Sequence, residues 1–275
     1  MKIAYQGIPG SYSESCAKKN YPGSETIPCK TFDECFEIAK NDSSIKTLIP
    51  ESNKTTGNIG IEYLIFKFRL NIYAEHFYKI SHNLLGIKGS KIEDLKDVYS
   101  HAQALSQSSN FIKKNNLVEQ VRADTAGSAK YISESNDKTK AAIASSLSAE
   151  IYNLEIIAKD IQDNKDNFTR FLLMGKDIMQ PDNDDKSYIT SFLFKLKSKP
   201  AALYSSLQGM AINGVNMIKL QSFPEKNSFS SYFFLCEVEG HLNQQKIKNS
   251  LEDLNYHCED MSVLGVFEAD KLRKK

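Results

Sequence analysis

Directly after Met1 the chain contains the stretch Lys2-Ile3-Ala4-Tyr5-Gln6-Gly7-Ile8-Pro9-Gly10-Ser11-Tyr12-Ser13-Glu14. Its apolar first part is typical of a strand that enters a core. Ser11 and Glu14 match a capping box, which predicts that a helix begins there. Thr31 and Glu34 form a second capping box ahead of an apolar-periodic helix. The same order of strand, small or hydroxyl residues and helix continues along the first 178 residues.

Further elements follow from the same pattern. The predicted strands cover residues 47–50, 98–100, 118–123 and 141–145. A polar turn is predicted over residues 51–57, and helices are predicted over 102–114, after 124–128, and over 146–152. Strands that alternate with helices favour parallel α/β sheets.

The predicted strand ends are rich in Ser, Thr, Asn and Gly. In parallel α/β sheets ligands bind beyond the carboxyl ends of the strands. Free N–H groups and the helix dipole favour anions at the helix starts that follow. Each single Ser or Thr is explained equally well as a helix cap. The whole set predicts a cleft that binds a small anion with more than one carboxylate.

The pattern changes after the polar linker at residues 179–187. Strands are predicted at 188–196, 215–222, 231–239 and 261–268, and helices at 200–213 and 242–256. Pro200 is expected at the first helical position, and Gly214 is expected to end that helix. The order βαββαβ predicts a ferredoxin-like module. The chain is therefore expected to contain one domain over residues 1–178 and a second over residues 187–275.

Composition excludes several classes of function. A net charge of +1 gives no field that would attract nucleic acid or an anionic membrane. The chain has no apolar run of 18 residues and no signal-peptide pattern at its start. Its five cysteines are odd in number and lack a Cys-x-x-Cys pair, which favours a reduced, cytoplasmic protein without disulfides or zinc. No metal site is expected.

Thr169 and Arg170 stand between two aromatic residues in the stretch Asn167-Phe168-Thr169-Arg170-Phe171. Arginine is rare in this chain, with four residues against 31 lysines. Its guanidinium can hold a carboxylate through two parallel hydrogen bonds, which lysine cannot do. The Thr169 hydroxyl can donate a hydrogen bond or a proton to a leaving oxygen. A surface salt bridge is the other interpretation of Arg170.

Several motifs follow one another in order along the chain: Ile3-Ala4-Tyr5-Gln6-Gly7, Gly10-Ser11-Tyr12-Ser13-Glu14, Tyr99-Ser100-His101-Ala102-Gln103-Ala104-Leu105-Ser106-Gln107, Asp124-Thr125-Ala126-Gly127-Ser128-Ala129, Ala141-Ala142-Ile143-Ala144-Ser145 and Ile161-Gln162-Asp163 ahead of Thr169-Arg170-Phe171. By these motifs the whole chain resembles a prephenate dehydratase with a C-terminal ACT regulatory domain. The resemblance implies a two-lobed, periplasmic-binding-protein-like catalytic domain. It also implies conversion of prephenate to phenylpyruvate with loss of carbon dioxide and water, in phenylalanine synthesis, without a cofactor.

The resemblance also implies roles for individual residues. The implied catalytic residues are Thr169 as the donor to the leaving hydroxyl, Arg170 as a carboxylate anchor, and Asn53, Ser100 and Gln107 as substrate contacts. Thr125, Asn167 and Phe171 are further candidates for substrate binding, although Phe171 fits a core position equally well. Phenylalanine would bind the ACT domain near Ala202, Leu203, Asn216, Gln221 and Ser222.

Two segments depart from the family pattern. The family's Pro-x-Glu-Asn-Ser-x-x-Gly loop is here Pro50-Glu51-Ser52-Asn53-Lys54-Thr55-Thr56-Gly57. Glu51 recovers part of the missing glutamate's role if the loop shifts by one residue, and Lys54 either adds a cation to the cleft or points to solvent. In the regulatory half, Ala201 replaces a glycine, Gln221 a glutamate and Phe223 an arginine. These changes predict weakened or absent feedback inhibition by phenylalanine.

Three other interpretations stay open. An arogenate dehydratase would act on the amino analogue of prephenate. A non-catalytic protein would bind a small anion in the cleft and an amino acid in the ACT domain. A solute-binding component of a transporter agrees less well with the ACT-like half. A homodimer or homotetramer is expected because ACT domains commonly pair.

Overall fold

The computed structural model describes residues 1–225, 228 and 231–274. The helices in this part of the chain are α1 (Tyr12–Asn20), α2 (Phe32–Asn41), α3 (Glu62–Phe68), α4 (Ala102–Ser106), α5 (Ser109–Lys114), α6 (Thr125–Ser135), α7 (Ser146–Ile151), α8 (Ala202–Ile212) and α9 (Gln245–His257). The strands are β1 (Lys2–Gln6), β2 (Glu25–Cys29), β3 (Ile45–Asn53), β4 (Gly57–Asn58), β5 (Asn71–Lys79), β6 (Asn83–Gly86), β7 (Asp97–Ser100), β8 (Val118–Val121), β9 (Lys140–Ala144), β10 (Glu155–Ala158), β11 (Phe168–Gly175), β12 (Tyr188–Leu196), β13 (Met217–Pro224), β14 (Tyr232–Glu239) and β15 (Cys258–Glu268).

The chain forms two compact units. The first comprises Met1–Cys35, Leu48–Ile59 and His76–Phe171, and the second comprises Phe36–Thr47, Gly60–Glu75 and Leu172–Lys275. The division into domains over residues 1–178 and 187–275 stays a prediction. None of the helices among the described residues is both long enough and apolar enough to cross a membrane.

Strands β1 to β11 form two sheets, ordered β2-β1-β3-β11-β5 and β10-β6-β9-β7-β8, and β4 pairs with β3 at the side of the first. Strand β1 is parallel to β2, and β7 is parallel to β8 and β9. Strand β6 is antiparallel to β9 and β10. The prediction of parallel sheets is therefore wrong at β6. The chain enters β6 through residues 80–82 directly from β5 of the other sheet, so no βαβ unit sets the direction of β6 relative to its neighbours β9 and β10.

The second sheet is buried on both faces. Leu84, Ala141 and Ile143 belong to one apolar cluster, whereas Leu85 and Ala142 belong to the cluster on the opposite face. Successive side chains of a strand point to opposite faces, so a strand covered on both sides is apolar throughout. This explains the continuous apolar run of β9 and fixes the strand ends from which cleft residues extend.

Two elements near the candidate site differ from prediction. The helix expected over residues 102–114 is divided into α4 and α5, because the Gln107 carbonyl accepts a hydrogen bond from the Asp163 N–H at 2.7 Å. The predicted turn over 51–57 is shorter, since β3 continues to Asn53 and pairs with β4. No element was predicted between residues 58 and 97, where α3, β5 and β6 lie.

The ferredoxin-like module is confirmed in the second unit. Its elements follow the order β12-α8-β13-β14-α9-β15, and its antiparallel sheet has the strand order β13-β14-β12-β15. Its apolar cluster is centred on Phe192, Phe194, Cys236, Val238 and Leu254. Pro200 does not start α8 as predicted. The helix begins at Ala202, after Ala201 in the left-handed conformation.

We expect the substitution Ala201→Gly to stabilise the chain. Ala201 has a φ of 59°, a conformation that is costly for a residue with a Cβ atom and accessible to glycine. After subtraction of glycine's larger entropy loss, the gain should be about 0.5–1 kcal/mol in the free energy of unfolding. Urea unfolding measures this change. Ala211→Gly within α8 is the matched control, and it should destabilise the protein by about 0.5–1 kcal/mol.

Candidate active site

A cavity of about 380 Å³ lies within the first unit, where strand ends and helix starts meet. Both polar and apolar residues line the cavity. The lining residues are Gln6, Tyr12, Ser13, Pro50, Asn53, Thr56, Ile59, Ile80, His82, His101, Gln103, Ala104, Gln107, Ala123, Asp124, Thr125, Thr169 and Phe171. Five of the predicted site residues are therefore brought to one cavity, namely Asn53, Gln107, Thr125, Thr169 and Phe171.

Asn53 holds the Thr169 hydroxyl. Its Nδ2 donates to Thr169 Oγ1 and to Asn167 Oδ1, each at 2.8 Å. Its Oδ1 accepts from the backbone N–H groups of Thr55 at 2.9 Å and Thr56 at 3.1 Å. Asn53 and Thr169 are both buried. The hydroxyl is therefore fixed in a partly desolvated position, where a hydrogen bond is stronger than in water.

Gln107 connects Asn167 to a histidine. Gln107 Oε1 lies 2.9 Å from both Asn167 Nδ2 and His82 Nε2. His82 Nδ1 lies 2.7 Å from the Tyr12 hydroxyl, which also lies 3.0 Å from the Ser81 carbonyl oxygen. Asn167 also lines a second cavity, which Gln107 shares with the first. These residues thus form one polar network beside Thr169.

Arg170 lies on the opposite face of β11 from the cavity. Strand alternation turns Thr169 and Phe171 to one face and Arg170 to the other. The Arg170 guanidinium is buried in an ion pair with Glu51, with Nη1 and Oε2 at 3.2 Å. Arg170 is therefore not on the cavity wall, where an anchor for the substrate carboxylate would have to lie. Its ion pair is buried, so it is not a surface salt bridge either. Glu51 also accepts from Ser52 Oγ at 2.7 Å.

Ser100 is also away from the cavity wall. Its side chain is fully buried, and its Oγ donates to the Ile143 carbonyl oxygen at 2.7 Å. It therefore links β7 to its neighbour β9 and is placed to support the cavity through the sheet.

Lys54 is exposed and lies 3.7 Å from Asp166, so it is a surface cation in this structure.

The candidate regulatory residues all lie in the second unit. Ala202 and Leu203 form the start of α8, and Asn216 stands directly before β13. Asn216 Nδ2 donates to Glu239 Oε2 at 2.8 Å. Gln221 and Ser222 lie within β13, opposite Leu235 and Phe234 of β14.

The cavity contains no Lys or Arg among the described residues that line it. The starts of α1 and α6 face the cavity, where Tyr12, Ser13 and Thr125 line the wall, and the helix dipole places partial positive charge there. The Asp124 carboxylate, which caps α6 by accepting from the Gly127 N–H, lines the same wall and brings a negative charge to it. Burial raises the pKa of the Tyr12 hydroxyl well above its ordinary value, so this group stays protonated.

In the part of the chain that the structure describes, no group of three or more His, Cys, Asp or Glu side chains is arranged to hold a metal ion.

Comparison with known proteins agrees with this geometry. The family model for prephenate dehydratase matches residues 3–179. The chain is 38% identical to arogenate dehydratase 2 of Petunia hybrida, and the match covers 98% of the chain and 72% of that protein. The chain belongs to the prephenate dehydratase family.

A second relative extends along nearly all of both chains. The bifunctional N-acyl-homoserine lactone acylase/prephenate dehydratase of Komagataeibacter europaeus is 34% identical, over 99% of this chain and 98% of that protein. The solved prephenate dehydratase from Arthrobacter aurescens, in complex with L-Phe, has a TM-score of 0.87 and is 24% identical, covering 98% of this chain and 90% of that one. This likeness confirms the predicted fold class, two α/β lobes with a ferredoxin-like module.

Family motifs alone did not identify several cavity residues. Tyr12, Thr56, His82 and Gln103 line the cavity but were not predicted as site residues. Tyr12 lies inside the opening motif, and its place in the first turn of α1 was a usable signal. His82 follows β5 in a segment without predicted elements, so its position in the fold could not be predicted.

We expect His82 to make stability depend on pH. Burial lowers the pKa of its imidazole, and the hydrogen bond to Gln107 opposes this effect. The unfolded chain therefore binds a proton more readily than the folded protein, and stability falls as the pH drops below about 6.5. Urea unfolding between neutral and mildly acidic pH should show this loss. The loss should be smaller in His82→Gln, and equal pH profiles for both proteins would contradict the expectation.

Proposed function

We propose that this chain is a prephenate dehydratase, a carbon–oxygen lyase that converts prephenate to phenylpyruvate in phenylalanine synthesis. The observation that carries the proposal is the Thr169 hydroxyl, which Asn53 holds at 2.8 Å on the wall of a cavity of suitable size. The reaction is expected to occur in the cytoplasm, in keeping with the cysteine pattern. Family membership supports the assignment.

Thr169 is proposed to protonate the leaving hydroxyl. The bond from ring carbon to hydroxyl breaks, and the hydroxyl takes a proton and leaves as water. The electron pair of the bond to the ring carboxylate moves into the ring, and carbon dioxide leaves. A threonine hydroxyl is a very weak acid, so the Asn53 Nδ2 donor matters because it stabilises negative charge developing on Oγ1. Solvent then returns the proton to Thr169.

The two carboxylates of prephenate would experience different surroundings. The carboxylate that remains is proposed to lie at the starts of α1 and α6, near Ser13 and Thr125, where helix dipoles favour an anion. The departing carboxylate would lie beside Ile80 and Phe171, where the wall is apolar. Poor solvation of the departing group favours its conversion to neutral carbon dioxide.

The remaining predicted site residues are proposed to act in two ways. Gln107 and Asn167 belong to the polar network that contacts or surrounds the substrate. Arg170 and Ser100 are proposed to act from behind the wall, through Glu51 and Ile143. Arg170 therefore orders the strands that carry Asn53 and Thr169.

A turnover assay tests the proposal. Purified protein is mixed with prephenate at neutral pH, and phenylpyruvate is followed by its ultraviolet absorbance. We expect catalytic turnover that stops when the protein is unfolded. Prephenate binding without turnover would favour the non-catalytic small-anion-binding alternative, with Ser52 and Lys54 as the first substitutions to revert.

Arogenate is the second candidate substrate. The relative from Petunia hybrida, 38% identical, is named an arogenate dehydratase. Arogenate has an amino group where prephenate has a keto oxygen, so the cavity would have to accept an extra positive charge. Parallel assays with both compounds decide the preference from the ratio of their kcat/KM values.

An acylase activity is a further candidate because the Komagataeibacter europaeus relative carries both activities in its name. Incubation with N-acyl-homoserine lactones, followed by detection of the released fatty acid, tests it. Thr169→Val provides the control. If the released fatty acid is unchanged in this variant, the hydrolysis does not depend on the Thr169 hydroxyl.

The ferredoxin-like module is proposed to be an ACT domain that mediates assembly into a homodimer or homotetramer and responds weakly to phenylalanine. Light scattering measures the assembly.

We expect phenylalanine to inhibit the wild-type protein little. The triple substitution of Ala201→Gly, Gln221→Glu and Phe223→Arg, which restores the family's residues, should increase inhibition. Equal inhibition of both proteins would contradict this expectation.

A further inference from the structure

The polar network beside Thr169 has a single hydrogen-bond direction. The amide of Asn53 is fixed because its Oδ1 accepts from two backbone N–H groups, those of Thr55 and Thr56. A backbone N–H can only donate, so the opposite orientation of the Asn53 amide would place donors against donors. Asn53 Nδ2 must therefore point to Asn167 and Thr169, as the 2.8 Å distances show.

This direction is transmitted along the network. Asn53 Nδ2 uses its two hydrogens on Asn167 Oδ1 and Thr169 Oγ1. Asn167 must then present Nδ2 to Gln107, so Gln107 accepts through Oε1. Thr169 Oγ1 is an acceptor toward Asn53, which leaves the threonine's own hydrogen for a ligand in the cavity.

The same constraint assigns the tautomer of His82. Gln107 Oε1 accepts at 2.9 Å from Asn167, so His82 Nε2, at the same distance, must carry a hydrogen. The neutral ring then has an unprotonated Nδ1, which accepts from the Tyr12 hydroxyl at 2.7 Å. His82 is 2% exposed, and burial favours the neutral ring. The Ser81 carbonyl is a second acceptor for Tyr12.

With Oε1 held from two sides, the Gln107 amide cannot rotate. Among the described residues, Gln107 Nε2 has no hydrogen-bond partner, although it is buried and belongs to a residue on the cavity wall. An unpaired buried amide donor is costly unless a ligand or water accepts from it.

We propose that His82 is a positioning residue that locks Gln107 with its Nε2 hydrogens available to an oxygen of the bound substrate. This inference rests on the proposed function, because the substrate is taken to be prephenate or a close analogue. Carboxylate and keto oxygens of such a substrate are the acceptors that an amide N–H₂ group recognises. His82 touches Gln107 and Tyr12 and acts through them.

Nitrogen-15 NMR of the ligand-free protein tests the tautomer without any need for turnover. We expect His82 at neutral pH to be protonated on Nε2 only. Protonation on Nδ1 only, or on both nitrogens, would overturn the proposal even if the protein is an active dehydratase. Absence of prephenate turnover together with the expected tautomer would instead overturn the proposed function alone.

Kinetics test the action through Gln107. We expect His82→Leu to lower kcat/KM for prephenate by on the order of 10–100-fold, below the effect of removing a direct donor. His82→Gln keeps an N–H near the Nε2 position and should recover at least half of this loss on a logarithmic scale. In a Gln107→Met background His82→Leu should have little further effect, because the amide it positions is gone. Additive losses in the double variant, or no recovery in His82→Gln, would overturn the proposal.

Discussion

Thr169→Val is expected to lower kcat for prephenate by about 100–10,000-fold, the usual contribution of a positioned proton donor. Valine keeps the shape and the β-branched character of threonine on β11, so the fold should persist. The substitution removes the hydroxyl that accepts from Asn53 Nδ2 at 2.8 Å. Steady-state kinetics with prephenate measure the loss, and circular dichroism checks the fold.

Thr169→Ser is the matched control because it retains a hydroxyl on the same carbon. We expect it to keep activity within about tenfold of the wild-type rate, the remaining loss reflecting a looser rotamer. If Thr169→Val were nearly as active as the wild-type protein, Thr169 would not be the donor. The proton donor would then have to be another polar group on the cavity wall.

Arg170→Met is expected to reduce the free energy of unfolding by about 3–5 kcal/mol, the cost of breaking a buried ion pair. The Arg170 and Glu51 side chains are 5% and 3% exposed, so the removal of one charge leaves the other in a poorly solvated position. Urea unfolding measures the change. Lys54→Met removes a cation from the exposed Lys54–Asp166 pair and should have no measurable effect.

A double-mutant cycle separates the pair from other effects. Arg170→Met and Glu51→Met should together cost less than the sum of the single substitutions, with a coupling free energy of at least about 1 kcal/mol. If the Arg170 variant were as stable as the wild-type protein but had a KM raised more than 100-fold, Arg170 would bind the substrate directly. That result would restore the role that the sequence motif implied.

The sequence motif around Arg170 allowed the face of the strand to be predicted but not the ion-pair partner of Arg170. The motif drew attention to a segment in which Arg170 forms a buried ion pair with Glu51. Strand alternation, which places residues 169 and 171 on one face and residue 170 on the other, was available from the sequence. The partner of Arg170 could not be predicted from the sequence. Glu51 is distant along the chain and contacts Arg170 only because strands β3 and β11 pair.

Regular elements were predicted well where local signals were strong. Strand β12 has the predicted bounds, and Ser11 caps α1 through a 3.3 Å hydrogen bond from the Glu14 N–H. The Glu14 carboxylate accepts from Gly10 N–H at 2.6 Å, one residue earlier than in the standard capping box. Such a shift depends on the geometry of the glycine turn and leaves no trace in the spacing of residues.

The segment from β4 to β6 could not be predicted because its elements are defined by distant partners. Strand β6 is buried between β9 and β10, and its direction depends on the route of the chain from β5. His82 lies at this point, and its role becomes visible only when Tyr12 and Gln107 are brought to either side of its ring. Sequence spacing of 70 and 25 residues carries no local signal for these contacts.

The stoichiometry of a complete reaction with prephenate tests directly whether this chain is a prephenate dehydratase. Purified wild-type protein is incubated with a known amount of prephenate, and phenylpyruvate and carbon dioxide are both quantified. We expect many turnovers per protein, with one carbon dioxide released for each phenylpyruvate formed. Prephenate that is bound by folded protein but recovered unchanged would contradict this expectation.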